Sequence, residues 1–256
     1  MPSSSSGLTE EKLNVVFLHG YCEGNWIWSE LLSCLPDSVN YHALNLPGSG
    51  DVATLPHAVT IEAVAAEVWE TLDERDIVNP VLIGHSLGGY VALAMTEARP
   101  QDVKGIALFH SMPFADTEAR KENRNKVIES VSRSGKEPFL DVFAPGLFFE
   151  PDTPLVKDFR ERIESTPAET IIYYAAAMRD RSDRMEVLAG FSNPVLLLGG
   201  VHDKIISQEV LNVAAGQLKG ADIHFLPRSA HAGMLEEPLK SAEIIENFIK
   251  KCFKQT

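Results

Sequence analysis

Short, continuous apolar runs alternate along this chain with longer stretches whose apolar residues recur every three to four positions. An apolar run of four to eight residues bounded by turn formers reads as a strand buried on both faces. The three-to-four spacing reads as a helix with one face in a core. Asn14-Val15-Val16-Phe17-Leu18 is the first such strand, followed by a glycine-containing loop and a helix near Trp26 to Cys34. Val39 to Leu46 is the second strand. Thr60 stands where it can cap a helix from Ile61 to about Arg75, with Ile61, Val64, Ala65, Val68 and Leu72 on one face. Pro80-Val81-Leu82-Ile83 is a strand, Gly89 to Met95 a helix that stops at Arg99-Pro100, and Val103 to Phe109 a further strand.

Near Met112-Pro113 the rhythm breaks. From there to about Gly190 the chain is charge-rich and helical, with turns at Pro145-Gly146 and from Pro151 to Pro154. Alternation then resumes with a strand from Val195 to Leu198, a helix from Ser207 to Leu218, a strand from Asp222 to Leu226 and a helix from Leu239 to Lys250. This order predicts an α/β fold, a doubly wound and mostly parallel sheet of about six strands. Residues 13–112 and 191–256 form its core, residues 113–190 an inserted helical cap, and residues 1–12 a flexible, serine-rich start.

Composition narrows the function classes. The 256 residues are 45% hydrophobic and 23% charged, enough for one large core. No apolar run approaches the roughly 20 residues that span a bilayer, and no secretory signal pattern opens the chain. The net charge of −13, with Lys and Arg scattered, argues against a nucleic-acid partner. Three cysteines, Cys22, Cys34 and Cys252, lack metal-ligand spacing, and with no N-x-[ST] sequon they point to a reducing cytoplasm. No H-E-x-x-H, C-x-x-C or G-x-G-x-x-G motif occurs, so neither metal nor dinucleotide cofactor is expected.

The chemistry concentrates at Gly84-His85-Ser86-Leu87-Gly88, between the strand ending at Ile83 and the helix beginning at Gly89. A serine between glycines at a strand-to-helix turn is the nucleophile-elbow pattern. A serine hydroxyl needs a base to take its proton and a carboxylate to orient that base. In such proteins the partners follow in the order Ser, acid, His. Asp203, after the strand ending at Leu198, is the acid candidate, and His231, after the last strand, is the base candidate. Backbone N–H groups of Leu87 and Tyr21 are placed to meet a developing oxyanion. Leu46 to Asp51 lacks the lysine of a phosphate loop and reads as a structural turn.

Rival assignments are weaker. Asp116 follows the fourth strand but lies several residues downstream of it. His42, His57 and His224 have no partner pattern, while His85 and His202 adjoin the proposed residues and read as supporting groups. His19, Cys22 and His110 sit in loops near the site and are candidates to line a pocket. Met112, Phe114, Phe143, Leu147, Phe148, Phe149, Tyr173, Tyr174 and Met178 are the apolar candidates from the cap, about a third of which should touch ligand.

Taken together, Phe17-Leu18-His19-Gly20, Asn45 to Gly50, Gly84 to Gly89, Gly199 to Asp203 and Ser229 to His231 resemble the α/β-hydrolase fold family from about Leu13 to the C-terminus. Met178 to Asp183 is similar to a segment of its small esterase, lactonase and RsbQ-like members. With so few residues before the first strand, most of the amino-terminal β-hairpin of that fold is expected to be missing. A serine at position 86 argues against the dehalogenase and epoxide hydrolase branches, which use aspartate. The resemblance implies hydrolysis of a small ester, lactone or related carbonyl compound with an apolar moiety. It also leaves open C–C bond hydrolysis, cyanohydrin chemistry, peroxide use, or a receptor with vestigial turnover.

Overall fold

Residues 13–254 are described by the structure, a computed structural model, so the expectation for residues 1–12 lies outside it. Six five- or six-residue strands form one sheet: β1 (Asn14–Leu18), β2 (Asn40–Leu44), β3 (Val81–His85), β4 (Gly105–Phe109), β5 (Val195–Gly200) and β6 (Asp222–Leu226). Their spatial order is β2-β1-β3-β4-β5-β6, and every pairing is parallel. β3 and β4 are buried at every position because helices cover both their faces, which is why they read as unbroken apolar runs.

The helices are α1 (Ser29–Ser33), α2 (Ile61–Glu74), α3 (Leu87–Ala98), α4 (Glu118–Ser134), α5 (Glu137–Gly146), α6 (Pro154–Ile163), α7 (Ala168–Asp180), α8 (Met185–Gly190), α9 (Gln208–Ala215), α10 (Gly233–Glu236) and α11 (Pro238–Phe253). Thr60 caps α2 as expected, its Oγ1 accepting the Ala63 N–H at 3.1 Å. The expected helix near Trp26 to Cys34 divides into a 3-10 turn, Asn25–Trp28, and α1. The last helix runs further than its apolar pattern indicated, from Pro238 to Phe253, and the short α10 ahead of it went unpredicted.

Five helices, α4 to α8, lie between β4 and β5 in the chain. They are fastened to the loops at the sheet's edge by buried hydroxyls. Thr166 Oγ1 donates to the Cys22 carbonyl at 2.9 Å, Thr170 Oγ1 to Gly48 at 2.9 Å, and Tyr173 and Tyr174 Oη to Ala58 and Pro47, each at 2.7 Å. Tyr21 Oη returns a bond to the Ile171 carbonyl at 2.7 Å. The segment from Leu46 to Asp51 is a structural turn, closed by Gly48 N–H on the Val52 carbonyl at 2.7 Å.

Candidate active site

The sheet's carboxyl edge gathers residues that are distant in sequence. β3 ends at His85, and Ser86 takes φ 48°, ψ −110° before α3 begins at Leu87. Positive φ in a serine is strained, and the crossing of strand and helix enforces it. A Cβ on Gly84 would lie 2.4 Å from the Gly88 backbone, and one on Gly88 would lie 2.2 Å from the Leu18 carbonyl oxygen. Only glycines permit so close an approach. Ser86 is anchored through its main chain, its N–H on the Phe109 carbonyl at 3.0 Å and its carbonyl taking Ser111 Oγ at 2.7 Å. Leu87 N–H, at the first position of α3, has no intrahelical acceptor and belongs to the helix's positive end. Among the described residues, five non-glycine residues have positive φ; Cys22, Ser86 and His110 are three of them, so strain collects here.

Asp203 and His231 arrive from the loops after β5 and β6. His231 Nδ1 is 2.8 Å from Asp203 Oδ2, and both residues are buried. Asp203 Oδ1 accepts the N–H groups of Ile205 and Ile206 at 2.8 and 2.9 Å. A fourth partner is His110, whose Nδ1 is 3.0 Å from the same Oδ2. Gly233 N–H donates to His110 Nε2 at 3.1 Å, so that nitrogen bears no proton and Nδ1–H is the donor to Asp203. Burial pushes the Asp203 carboxyl up, but the charge of His231 and the hydrogen bonds of His110 and His231 outweigh it and hold it far below the ordinary range. Burial pushes His110 down to about 4, more than the Asp203 contact restores, so it stays neutral. One nitrogen from each imidazole and an Asp203 oxygen lie within 4.8 Å of one another. Both imidazoles turn Nδ1 toward the one carboxylate oxygen as N–H donors, so the cluster reads as a hydrogen-bond hub.

A second buried network braces the elbow. Glu23 Oε2 accepts Gly20 N–H at 2.7 Å and lies 2.9 Å from His85 Nδ1. His85 Nε2 is 2.8 Å from the His231 carbonyl oxygen. Both partners of the His85 ring are acceptors, so the ring donates from both nitrogens and is an imidazolium. Burial lowers the His85 pKa, but the Glu23 charge and hydrogen bond raise it further, for a net rise. Burial raises Glu23, and the same pairing more than reverses that. One ion pair thus links the loop after β1, the elbow and the His231 loop.

Ser86 and His231 line one small cavity, about 50 Å³, with Tyr21, Glu23, His85, Tyr90, Arg124, Phe143, Leu147, Met178 and Ile205. Of the apolar pocket candidates, Phe143, Leu147 and Met178 stand in this wall. The others are placed elsewhere. His19 is buried behind the loop, its Nε2 accepting Leu46 N–H at 3.0 Å. Cys22 is buried and burial pushes its thiol far up, which makes it a filler. His110 backs Asp203 instead of facing the cavity. Met112 joins the core, and Phe114 offers its carbonyl to Arg181 Nη2 at 2.8 Å. Tyr174 reaches Pro47, Tyr173 reaches Ala58, and Phe148 and Phe149 face a separate surface groove with Thr153 and Arg228. Asp116 is buried against Arg181 Nη1 at 2.8 Å and Arg124 Nε at 3.2 Å, serving as a counter-ion away from His231. Glu23 and Arg124 escaped the sequence reading, because a lone carboxylate in a loop and an arginine on a polar helix face carry no local signature.

A parallel sheet that presents a strained serine at the end of its third strand defines an α/β hydrolase. Residues 15–244 match the profile of the alpha/beta hydrolase family, and the chain belongs to that family of hydrolytic enzymes. It is 23% identical over 252 residues to a pimeloyl-[acyl-carrier protein] methyl ester esterase of Wigglesworthia glossinidia brevipalpis, covering 93% of this chain and 94% of that one. It is 24% identical to a 2-succinyl-6-hydroxy-2,4-cyclohexadiene-1-carboxylate synthase of Enterobacter sp. (strain 638), over 92% and 91% of the two chains. Among solved structures, a thermophilic esterase from Thermogutta terrifontis, described with malate bound, superposes with a TM-score of 0.88 at 27% identity, covering 94% of this chain and 90% of that one. The enol-lactonase from Burkholderia xenovorans LB400 gives 0.84 at 18% identity, over 93% and 91%, a likeness of fold. Among the described residues no helix is long and apolar enough to cross a membrane.

Proposed function

We propose that this protein is a serine hydrolase that cleaves a small ester, lactone or related carbonyl compound through Ser86, His231 and Asp203. The observation that carries the reading is the Asp203 carboxylate, 2.8 Å from His231 Nδ1, with that ring and the strained Ser86 on one cavity wall. In this reading Asp203 accepts Nδ1–H and leaves His231 Nε2 free to take the Ser86 proton as the hydroxyl attacks. The amides of Leu87 and Tyr21 meet the oxyanion, each donor contributing roughly 3–4 kcal/mol to transition-state stabilisation. His231 then protonates the leaving group, and water attacks the acyl-enzyme with His231 again as base. The helices between residues 113 and 190 act as a cap, and Arg124, Phe143, Leu147 and Met178 are its contribution to the cavity wall. The names of the similar proteins, esterase and enol-lactonase among them, support carbonyl hydrolysis over a binding role. Labelling with a fluorophosphonate probe tests the proposal. An adduct on Ser86, absent in Ser86→Ala, together with turnover of p-nitrophenyl acetate, is the expected result; folded protein that takes no label refutes it.

A further inference from the structure

Beside the catalytic cavity lies a larger groove of about 340 Å³. Tyr21, Arg124, Phe143 and Ile205 line both spaces, so these four side chains stand between Ser86 and the groove. The groove's other walls include Val127 and Phe139, with Arg120 and Lys204 at its side. Its character is unusual for a chain of net charge −13: an apolar trough edged by three cations.

These cations are undercompensated. Asp116 is the acid that Arg120 and Arg124 share, and it also serves Arg181, which is buried against Tyr90 with its guanidinium carbon 3.9 Å from the ring centre. Arg124 reaches Asp116 with Nε alone, at 3.2 Å, and Arg120 stands 3.9 Å from it. Among the described residues, neither Nη of Arg124 has a protein acceptor and Lys204 has no ion pair. A guanidinium with its terminal fork unused presents two parallel donors, the arrangement that fits a carboxylate. The cavity beside Ser86, about 50 Å³, is several times smaller than the groove. A substrate longer than the reacting group therefore extends past Arg124 into the trough.

We propose that the substrate is an ester carrying a free carboxylate, separated from the scissile carbonyl by an apolar spacer, with Arg124 and Lys204 binding the carboxylate. This rests on the serine-hydrolase reading above and specifies its substrate class. The bonds broken and formed are those of ordinary ester hydrolysis; the remote carboxylate stays ionised throughout. The same positive rim steers anions toward the mouth of an otherwise acidic molecule, an attraction that salt screens.

A ladder of matched methyl esters tests it: monomethyl succinate, glutarate, adipate and suberate against methyl butanoate, pentanoate, hexanoate and octanoate, followed by titration of released acid. At least one acid ester should exceed its neutral counterpart in kcat/KM by about tenfold or more, the range of a hydrogen bond to a charged group. That ratio should fall in 0.5 M NaCl, and again in Arg124→Met and, separately, Lys204→Met, so a single poorly folding variant does not remove the test. The proposal is overturned if no acid ester outruns its counterpart, if neither series is turned over by enzyme that still hydrolyses p-nitrophenyl acetate, or if the ratio survives both substitutions. Protein that hydrolyses nothing and takes no fluorophosphonate refutes the serine-hydrolase reading, and the substrate proposal falls with it.

Discussion

The charged state of His85 makes a sharp prediction for Glu23→Gln. In the native protein the Glu23 carboxylate holds the buried imidazolium and the Gly20 amide with one oxygen. Both contacts fall on the same oxygen, so the glutamine amide can serve only one of them: its oxygen accepts Gly20 N–H, or its N–H donates to an unprotonated Nδ1 while Nε2–H still donates to the His231 carbonyl. Above the raised His85 pKa one buried group therefore loses its partner, and the substitution should cost about 1–3 kcal/mol. At lower pH the signs diverge. A base whose folded pKa is raised contributes stability that is full below its unfolded value, about 6.5, and is lost as pH rises through the folded value. In the variant the two largest upward influences on His85 are gone and burial dominates, so protonation of the unfolded chain draws the protein open. The difference should grow by about 1.4 kcal/mol per pH unit across the gap between the two folded pKa values. It should approach the roughly 3–5 kcal/mol typical of a buried ion pair with one partner removed. Urea unfolding of both proteins at pH 5.5, 7.0 and 8.5 measures this. A destabilisation that does not change with pH would mean that His85 is neutral in the native protein, and the ion-pair argument would fail.

Other expectations concern separate parts of the molecule. His110→Leu removes one of four hydrogen bonds to the Asp203 carboxylate and strands Gly233 N–H; each loss is of order 1–3 kcal/mol, read as a lower urea midpoint and reduced kcat/KM on p-nitrophenyl acetate. Gly88→Ala drives a methyl group into the Leu18 carbonyl, so soluble expression or thermal stability should collapse where a surface Gly→Ala such as Gly190→Ala is tolerated. Ellman's reagent should titrate Cys34 rapidly in native protein and all three thiols only in denaturant, since Cys22 and Cys252 are buried and burial raises both, Cys252 to about 12. Thr60→Ala deletes the α2 cap and should cost about 1 kcal/mol in chemical denaturation.

How far the sequence reached depended on whether a feature is local. β6 was legible residue for residue, and Thr60 as a cap, because strand burial and capping are decided within a few positions. Gly84 to Gly88 was legible because a tight crossing admits few residue types. The ordered appearance of Asp203 and His231 was legible only through the three strand ends, which a parallel sheet must place along one edge. What escaped depends on contacts across the fold. Glu23 and His85 are 62 residues apart, and His110 and Asp203 are 93 apart. α4 reads as a solvated helix, with Val131 its one buried residue, so nothing local marks Arg124 as facing a cavity. Tyr173 and Tyr174 read as pocket aromatics, yet their hydroxyls made a backbone partner the better use of both.

The joint between the inserted helices and the sheet is built almost wholly from hydroxyls of the inserted segment donating to main-chain carbonyls of the loops below, at Cys22, Pro47, Gly48 and Ala58, with Tyr21 alone donating in return, to Ile171. Every residue type carries that carbonyl. Gly48 aside, where φ is 79° and a Cβ would lie 2.9 Å from Thr170 Oγ1, substitutions on the acceptor side can therefore accumulate without unfastening the layer above, provided the loop keeps its path. The seam tolerates drift where it accepts and resists it where it donates, which leaves the rim of the catalytic chamber free to be reshaped for new substrates while the two halves stay joined.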